Sequence, residues 1–146
     1  MRSKVKENRK TCTKRKMKSK NTEIEYEQMS QNSHFGGSSF TVNKDTNRLL
    51  KWKKLLFTRY YVHLGNRSDI DVNYKSIVDR ESNEIEERYK ISTTGKEKIS
   101  LSLTIYHSTG RILIQGNNEK EWIKNEYEKL KKIVDLADTE EEIDII

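Results

Sequence analysis

Residues 99–106 read ISLSLTIY, and this stretch decides the fold of the chain. Its apolar residues alternate with hydroxyl-bearing residues over the whole length, which is the two-residue period of a β-strand. One side of the strand consists of Ile99, Leu101, Leu103 and Ile105, and the other of Ser100, Ser102, Thr104 and Tyr106. The pattern predicts a strand with one face in the core and one face outside it.

A tight turn and a return strand follow this stretch. The turn is HSTG, residues 107–110, in which Gly110 can take a positive φ, and Arg111–Gln115 then runs back as the antiparallel partner. Upstream, Arg88–Ser92 alternates in the same way and ends at a predicted turn, residues 93–96. The sequence therefore predicts an antiparallel sheet.

Two amphipathic helices are predicted beside the sheet. The first is short and basic and lies between Asn47 and Phe57, and the second follows the candidate N-caps Asn117 and Asn118. The apolar residues at helical spacing are Leu49, Trp52 and Leu56 in the first helix and Ile123, Tyr127, Leu130, Val134 and Ala137 in the second. Because the sheet offers the only large apolar surface, we predict an α+β, two-layer domain with the helices packed on one face of the antiparallel sheet.

Two segments between the first helix and the sheet complete the domain. Thr58–Leu64 alternates and is interpreted as a strand that ends at Gly65. Residues 69–78 carry apolar side chains at helical spacing and are interpreted as a helix, although Ile70, Val72 and Tyr74 also alternate as in a strand.

Charge divides the 146-residue chain into three parts. The net charge is +6, yet residues 1–20, here called the basic head, contain ten Lys or Arg against one acid, Glu7. A segment with such self-repulsion and few large apolar residues is expected to be disordered alone, and the GGSS run at residues 36–39 is typical of a linker. We therefore predict a basic, largely disordered tail and linker at 1–45, the α+β domain at 46–137, and a solvated acidic tail at 138–146.

Composition argues against several classes of protein. No apolar run approaches the roughly 18 residues that cross a bilayer, so neither a membrane span nor a membrane partner is expected. The single cysteine excludes a disulfide framework and a thiolate metal cluster within the chain. Motifs for phosphate loops, serine nucleophiles and zinc proteases do not occur. The histidines are interpreted as surface or interface residues, and the carboxylates at 84–87 and 140–142 as helix-flank or tail charges without partner chemistry. We predict no catalytic residue, no cofactor and no metal.

The sheet face away from the helices is the candidate functional site. On this assignment it carries basic donors, small hydroxyl residues and aromatic side chains, which suit a sugar–phosphate backbone. The alternative is a solvated face in which Ser and Thr are merely good strand formers. The residues assigned to nucleic-acid binding on this face are Arg59, Tyr61, His63, Arg88, Lys90, Ser102, Thr104, Arg111, Leu113 and Gln115. In the basic head, Lys14, Arg15 and Lys16 form the densest run, typical of a polyanion contact or a nuclear-import signal.

The stretch 105–116, IYHSTGRILIQG, followed by a capped helix, resembles one repeat of the TATA-binding-protein fold. In that repeat a strand ends in an apolar-Phe-Ser-Ser-Gly-Lys turn, and an apolar return strand ends in Thr-Gly before a long helix. The stretch is similar as well to the N-terminal substrate-binding domain of type III ribonuclease H. The resemblance spans about residues 58–137, and most of it rests on Ser108, Gly110, Arg111, Gln115 and Gly116.

This resemblance implies that the sheet face binds duplex nucleic acid. His107 stands where the repeat has an intercalating Phe, so strong kinking of the duplex is not implied. Only one repeat fits into the chain, so a homodimer or a related partner subunit would supply the second half.

We therefore expect a non-enzymatic, nuclear nucleic-acid-binding module, with duplex DNA favoured over RNA. The alternative is a protein-interaction subunit of a larger nuclear assembly that uses the sheet face or a sheet edge to bind its partner. A third reading is a small accessory to a nucleic-acid enzyme, without activity of its own.

Overall fold

The computed structural model describes residues 26–32, 37–93 and 98–145. Over these residues the chain has an α+β fold with a six-stranded antiparallel sheet and two helices, so the predicted α+β class and the antiparallel sheet are confirmed. Most of the predicted turn at 93–96 and the whole basic head, including Lys14, Arg15 and Lys16, lie outside the described residues.

The sheet has the strand order β1-β2-β6-β5-β4-β3. Its strands are β1 (Ser30–Asn32), β2 (Gly37–Thr41), β3 (Ile70–Val78), β4 (Glu84–Thr93), β5 (Ser100–Tyr106) and β6 (Arg111–Gly116). The strands predicted from residues 88–92, 99–106 and 111–115 are confirmed as β4, β5 and β6. The turn between β5 and β6 contains Gly110 at φ 78°, as the sequence predicted.

Both predicted helices are present, and both widen into π-helical turns. Helix α1 spans Arg48–Leu56 and continues through a π-helical segment, Phe57–His63, and a short 3₁₀ turn, Leu64–Asn66. Helix α2 runs from residue 119 to residue 136, with a π-helical segment at Ile123–Tyr127. Asn118 is its N-cap residue, but the side chain of Asn118 makes no capping hydrogen bond. A 3₁₀ turn, Glu140–Ile145, follows α2.

The core consists of the apolar side chains of β2 and β4–β6 together with those of the two helices. Leu103, Ile112 and Ile114 are fully buried, and each such side chain contributes about 1.5–3 kcal/mol by leaving water. The ring of Phe40 on β2 lies 4.9 Å from the rings of both Trp52 and Tyr127, which joins the two helices to the sheet.

The strand predicted at Thr58–Leu64 is wrong, because these residues prolong α1. Tyr60 is buried at helical spacing from the buried Leu56, whereas Val62 is 42% exposed. The alternation of Tyr60, Val62 and Leu64 was therefore accidental. Since this segment is not in the sheet, Arg59, Tyr61 and His63 do not lie on a sheet face.

The prediction of a helix at residues 69–78 is also wrong. The alternating pattern noted for the same residues matches the structure, in which they form a strand. Residues 70–78 form β3, which pairs with β4 so that Val72 lies opposite Ile91 and Tyr74 opposite Tyr89. The half-buried side chains of Ile70, Val72 and Tyr74 pack beside the core.

The linker interpretation of residues 36–39 is wrong for Gly37–Ser39, which belong to β2. A Cβ on Gly37 would lie 2.3 Å from the carbonyl oxygen of Ile114, so this glycine permits close approach of β2 to β6 rather than flexibility. Phe40 and Val42 of the same segment are core residues.

The segment after α2, which was predicted to be a solvated acidic tail, packs in part on the domain. Ile143 is fully buried in the core. The Lys51 ammonium donates to the carbonyl oxygen of Ala137 at 2.8 Å, and the side-chain amide of Asn47 donates to that of Asp138 at 2.7 Å. Donors of α1 thus bind the carbonyl groups that follow α2, where cations are favoured by the helix dipole. The division of the chain into three domains stays a prediction.

Candidate nucleic-acid interface

The strand register defines the surface on the side of the sheet opposite to Leu103 and Ile112, here called the reverse face. Residues directly opposite each other on neighbouring strands share a face. The register therefore places three rows of residues on the reverse face. The first row is Ser39, Leu113, Thr104, Arg88 and Lys75; the second is Gly37, Gln115, Ser102, Lys90 and Asn73; the third is Thr41, Arg111, Tyr106, Glu86 and Ile77.

Seven of the predicted site residues come together on this face: Arg88, Lys90, Ser102, Thr104, Arg111, Leu113 and Gln115. In the middle of the face the side chains are small and shielded by their neighbours. Thr104 is 3% exposed and Ser39 is 7% exposed, and both lie opposite Leu113, which is half-buried. The side chains at the centre of the reverse face are therefore short, and they present hydroxyl and apolar groups.

Cations gather at one corner of the reverse face, on β3 and β4. Lys75 lies opposite Arg88, and Asn73 lies opposite Lys90. These four residues, here called the basic corner, line a cavity of about 140 Å³. Because neighbouring strands are about 4.8 Å apart, the three cations stand close to one another.

Only one cation of the basic corner has an ion-pair partner among the described residues. The Arg88 guanidinium pairs with Glu86 at 2.5 Å, whereas Lys75 and Lys90 are exposed and form no ion pair within the described part of the chain. Asp71 also lies on the reverse face, because it pairs with Ser92, which in turn pairs with Ser100. The four cations of the face, Lys75, Arg88, Lys90 and Arg111, exceed its two acids, Asp71 and Glu86, for a net charge of +2. The described part of this face is therefore electropositive.

Three predicted site residues lie elsewhere, because they belong to the prolonged α1. Arg59 pairs with Glu126 of α2 at 2.5 Å. Burial alone would lower the pKa of Arg59, but the hydrogen bond and the charge of Glu126 outweigh it and raise that pKa. The Tyr61 ring packs 5.0 Å from Phe57, and His63 lines a small cavity between α1 and α2. Their assignment to the sheet face was wrong.

One cluster was missed by the sequence interpretation. It consists of Glu84 and Glu87 of β4 with His107 of the β5–β6 turn, here called the carboxylate–histidine cluster. His107 Nε2 lies 2.8 Å from Glu87 Oε2 and 3.7 Å from Glu84 Oε1, while Lys53 Nζ of α1 lies 3.3 Å and 3.2 Å from the same two oxygens. The interpretation of these carboxylates as helix-flank charges is wrong. The spacing of residues 53, 84, 87 and 107 in the sequence does not predict that they lie together.

Comparison of the chain with protein-family models, curated proteins and solved structures finds no significant match. Within the described residues, no helix is both long enough and apolar enough to cross a bilayer.

Proposed function

We propose that this protein is a non-enzymatic nucleic-acid-binding module that holds duplex DNA on the reverse face of its sheet. The observation that carries the proposal is the basic corner, where Lys75, Arg88 and Lys90 surround a cavity of about 140 Å³. Clustered cations repel one another unless an anion lies between them, and phosphate oxygens are the anions that a nucleic acid presents at regular spacing. The proposal includes a two-layer arrangement in which the helices cover only the face that carries Leu103.

The centre of the reverse face supports contact with a sugar–phosphate backbone. The half-buried Ser102 has a hydroxyl group that can donate a hydrogen bond to a phosphate oxygen. Ser39 and Thr104 are small and buried, so a backbone can approach the strands closely. Leu113 stands between them and provides an apolar contact to deoxyribose or to a base edge. Gln115 and Arg111, on the same strand, extend the contact to either side.

The proposal includes a fold for the domain like that of one repeat of the TATA-binding protein. It is supported by the order of elements at residues 105–136, where strand, turn, return strand and helix follow one another as in the repeat. The position of the intercalating Phe is taken by His107, which bonds to Glu87 instead of projecting as a wedge. We therefore propose binding without strong kinking, and a nuclear role in which Lys14, Arg15 and Lys16 add sequence-independent affinity.

The test compares two triple variants of the full chain that remove the same charge. One replaces Lys75, Arg88 and Lys90 of the basic corner by alanine, and the other replaces the exposed α2 residues Lys120, Lys129 and Lys132. Binding to duplex DNA, duplex RNA and single strands is measured by fluorescence anisotropy over a range of salt concentrations.

The basic-corner variant is expected to bind duplex DNA about tenfold or more weakly. Its slope of log affinity against log salt should fall by roughly 2 to 3, since each lost phosphate contact removes about 0.9. The α2 variant should stay close to the unmodified chain. Equal losses in the two variants would mean that only net charge matters, and the reverse-face proposal would then be wrong.

A second candidate function, assembly with a protein partner, is favoured by the free edge of β3. This nine-residue strand has β4 on one side and no described strand on the other. If a second copy pairs antiparallel with it about Asn73, Asp71 of each copy faces Lys75 of the other, so the edge is self-complementary in charge. Such a homodimer would place two basic corners side by side and supply the second half of the fold.

Light scattering after gel filtration tests the edge. In the dimer, Asn73→Lys would place two like charges opposite each other and should yield a monomer, while Asn125→Lys on α2 adds the same charge away from the edge and should not. A chain that is monomeric at every concentration, without either substitution, would remove this candidate.

A further inference from the structure

The carboxylate–histidine cluster has the geometry of a metal site. One ligand atom each from Glu84, Glu87 and His107 lies within 4.8 Å of the others. A zinc ion with bonds of about 2.0–2.2 Å holds tetrahedral ligand atoms about 3.4 Å apart. The observed separations of 2.8 Å and 3.7 Å from His107 Nε2 bracket that value, so the three side chains need only small shifts to share an ion.

The two carboxylates of the cluster face the Lys53 ammonium and the His107 ring. The side chain of Glu87 is only 5% exposed. A divalent ion carries twice the charge of the Lys53 ammonium, so two carboxylates in a partly buried place favour it.

A buried hydroxyl next to the cluster is a second, independent observation. Tyr89 is 1% exposed, and its hydroxyl has no hydrogen-bond partner among the described residues. Tyr89 lies two residues from Glu87 on the same side of β4, and its ring is 4.9 Å from that of Tyr74, whose hydroxyl donates to Glu87 at 2.8 Å.

An unpartnered buried hydroxyl costs about 1–3 kcal/mol, so a partner bound beside it would be stabilising. A water molecule on a metal ion is such a partner, because it offers a lone pair to a donor that the protein leaves unused.

We propose that Glu84, Glu87 and His107 bind a zinc-class divalent ion in exchange for the Lys53 ammonium, with a water ligand that accepts a hydrogen bond from Tyr89. Imidazole nitrogen and carboxylate oxygen are ligands that zinc accepts, and three protein ligands plus water complete a tetrahedron. His107 ligates through the unprotonated Nε2, and Lys53 turns outward on its flexible stem. The ion would join β4 to the β5–β6 turn, on the side of the sheet away from the reverse face.

The test is a Zn²⁺ titration of the full chain against a chromophoric chelator. All variants carry Cys12→Ser, which removes the single thiol as a competing ligand. We expect one ion per chain, at least a tenfold loss of affinity in His107→Ala and Glu87→Gln, and little change in His63→Ala, which removes a histidine outside the cluster.

Two further variants keep all three ligands and cover the case in which a ligand variant fails to fold. Lys53→Met should bind Zn²⁺ more tightly, because the ion no longer competes with an ammonium. Tyr89→Phe should bind it more weakly while losing no stability in metal-free buffer. Equal affinities of the unmodified chain and His107→Ala, or weaker binding by Lys53→Met, would overturn the proposal.

Discussion

Glu27 and Arg48 form a two-pronged ion pair, in which Arg48 Nη2 donates to Glu27 Oε1 at 2.5 Å and Arg48 Nε donates to Oε2. The same carboxylate accepts a hydrogen bond from Trp52 Nε1 at 3.2 Å. The backbone carbonyl of Glu27 accepts one from the hydroxyl of Tyr127. The hydrogen bond from Arg48 to Glu27 raises the pKa of Arg48. One residue near the start of the described chain thus binds both helices.

Glu27→Ala is expected to lower the free energy of unfolding by about 2–4 kcal/mol. The substitution leaves the indole N–H of Trp52 without its acceptor and the guanidinium of Arg48 with Asp135 as its remaining partner, and hydrogen bonds to charged groups are the stronger ones. Urea unfolding followed by tryptophan fluorescence measures the change. Glu128→Ala, at an exposed position of α2, is the control and should change the free energy by less than about 0.5 kcal/mol. Equal effects of the two substitutions would contradict the role given to Glu27.

Gly110→Ala is expected to destabilise the fold by more than about 1 kcal/mol, since Gly110 has a positive φ that alanine disfavours. The new Cβ would also lie 2.1 Å from the carbonyl oxygen of Val42. Gly65→Ala is the matched control, because its Cβ would meet nothing closer than 3.5 Å and its φ is not positive. Similar thermal midpoints for the two variants would show that the β5–β6 turn tolerates a side chain.

Strands of the sheet could be predicted from the sequence where the apolar residues fit only a two-residue periodicity. In β5, apolar and hydroxyl residues alternate without a break, so only a strand buries Leu101, Leu103 and Ile105 together. In α2, the helical spacing of Tyr127, Leu130 and Val134 admits no strand of useful length. The seven residues whose place on the reverse face was predicted all come from β4, β5 and β6, because a strand's register fixes which side chains share a face.

The wrong predictions concern segments whose apolar residues fit both a strand and a helix periodicity. They also concern residues whose contacts are with residues far away in the sequence. Residues 58–64 satisfy a strand pattern, yet Tyr60 is buried through a helical period that begins in α1. Gly37 resembles a linker residue in the sequence. The reason for a glycine there is the close approach of the backbone of Ile114, which is far away in the sequence. Lys75 and Asn73 were not placed on the sheet face because their segment was assigned to a helix. Glu84 and His107 meet only through the pairing of β4 with β5.

Stability is expected to decline in alkaline solution because of buried tyrosines. Burial is the main reason that the pKa values of Tyr60 and Tyr89 are raised above the ordinary value near 10. Above that pH the unfolded chain releases these protons while the folded chain keeps them. The stabilisation is therefore complete below about pH 10 and is lost as pH rises further, by up to about 1.4 kcal/mol per pH unit for each hydroxyl.

Urea unfolding at about pH 8, 10 and 11 measures the decline. Absorbance at 295 nm should show these tyrosines ionising together with unfolding. A free energy of unfolding that stays constant to about pH 11 would contradict the burial of the two hydroxyls.

Deletion of residues 1–20 is expected to lower affinity for all duplexes alike and to flatten the salt dependence. The ten cations of the basic head release counterions from any phosphate backbone, whatever its sequence. Anisotropy titrations with several unrelated duplexes measure the change. A loss confined to one duplex sequence would assign base recognition to the head, contrary to this expectation.

The position of β2 dictates when a nascent chain can finish the sheet. Among the described strands, its neighbours are the three-residue β1 and β6, so Phe40 cannot pair with Ile112 until Ile112 has left the ribosome. Such distant pairing slows folding, since a long loop must close before the contacts between these strands form. During synthesis, residues 37–41 therefore stay without their main partner strand until most of the polypeptide has been made, and it is then that they are open to aggregation.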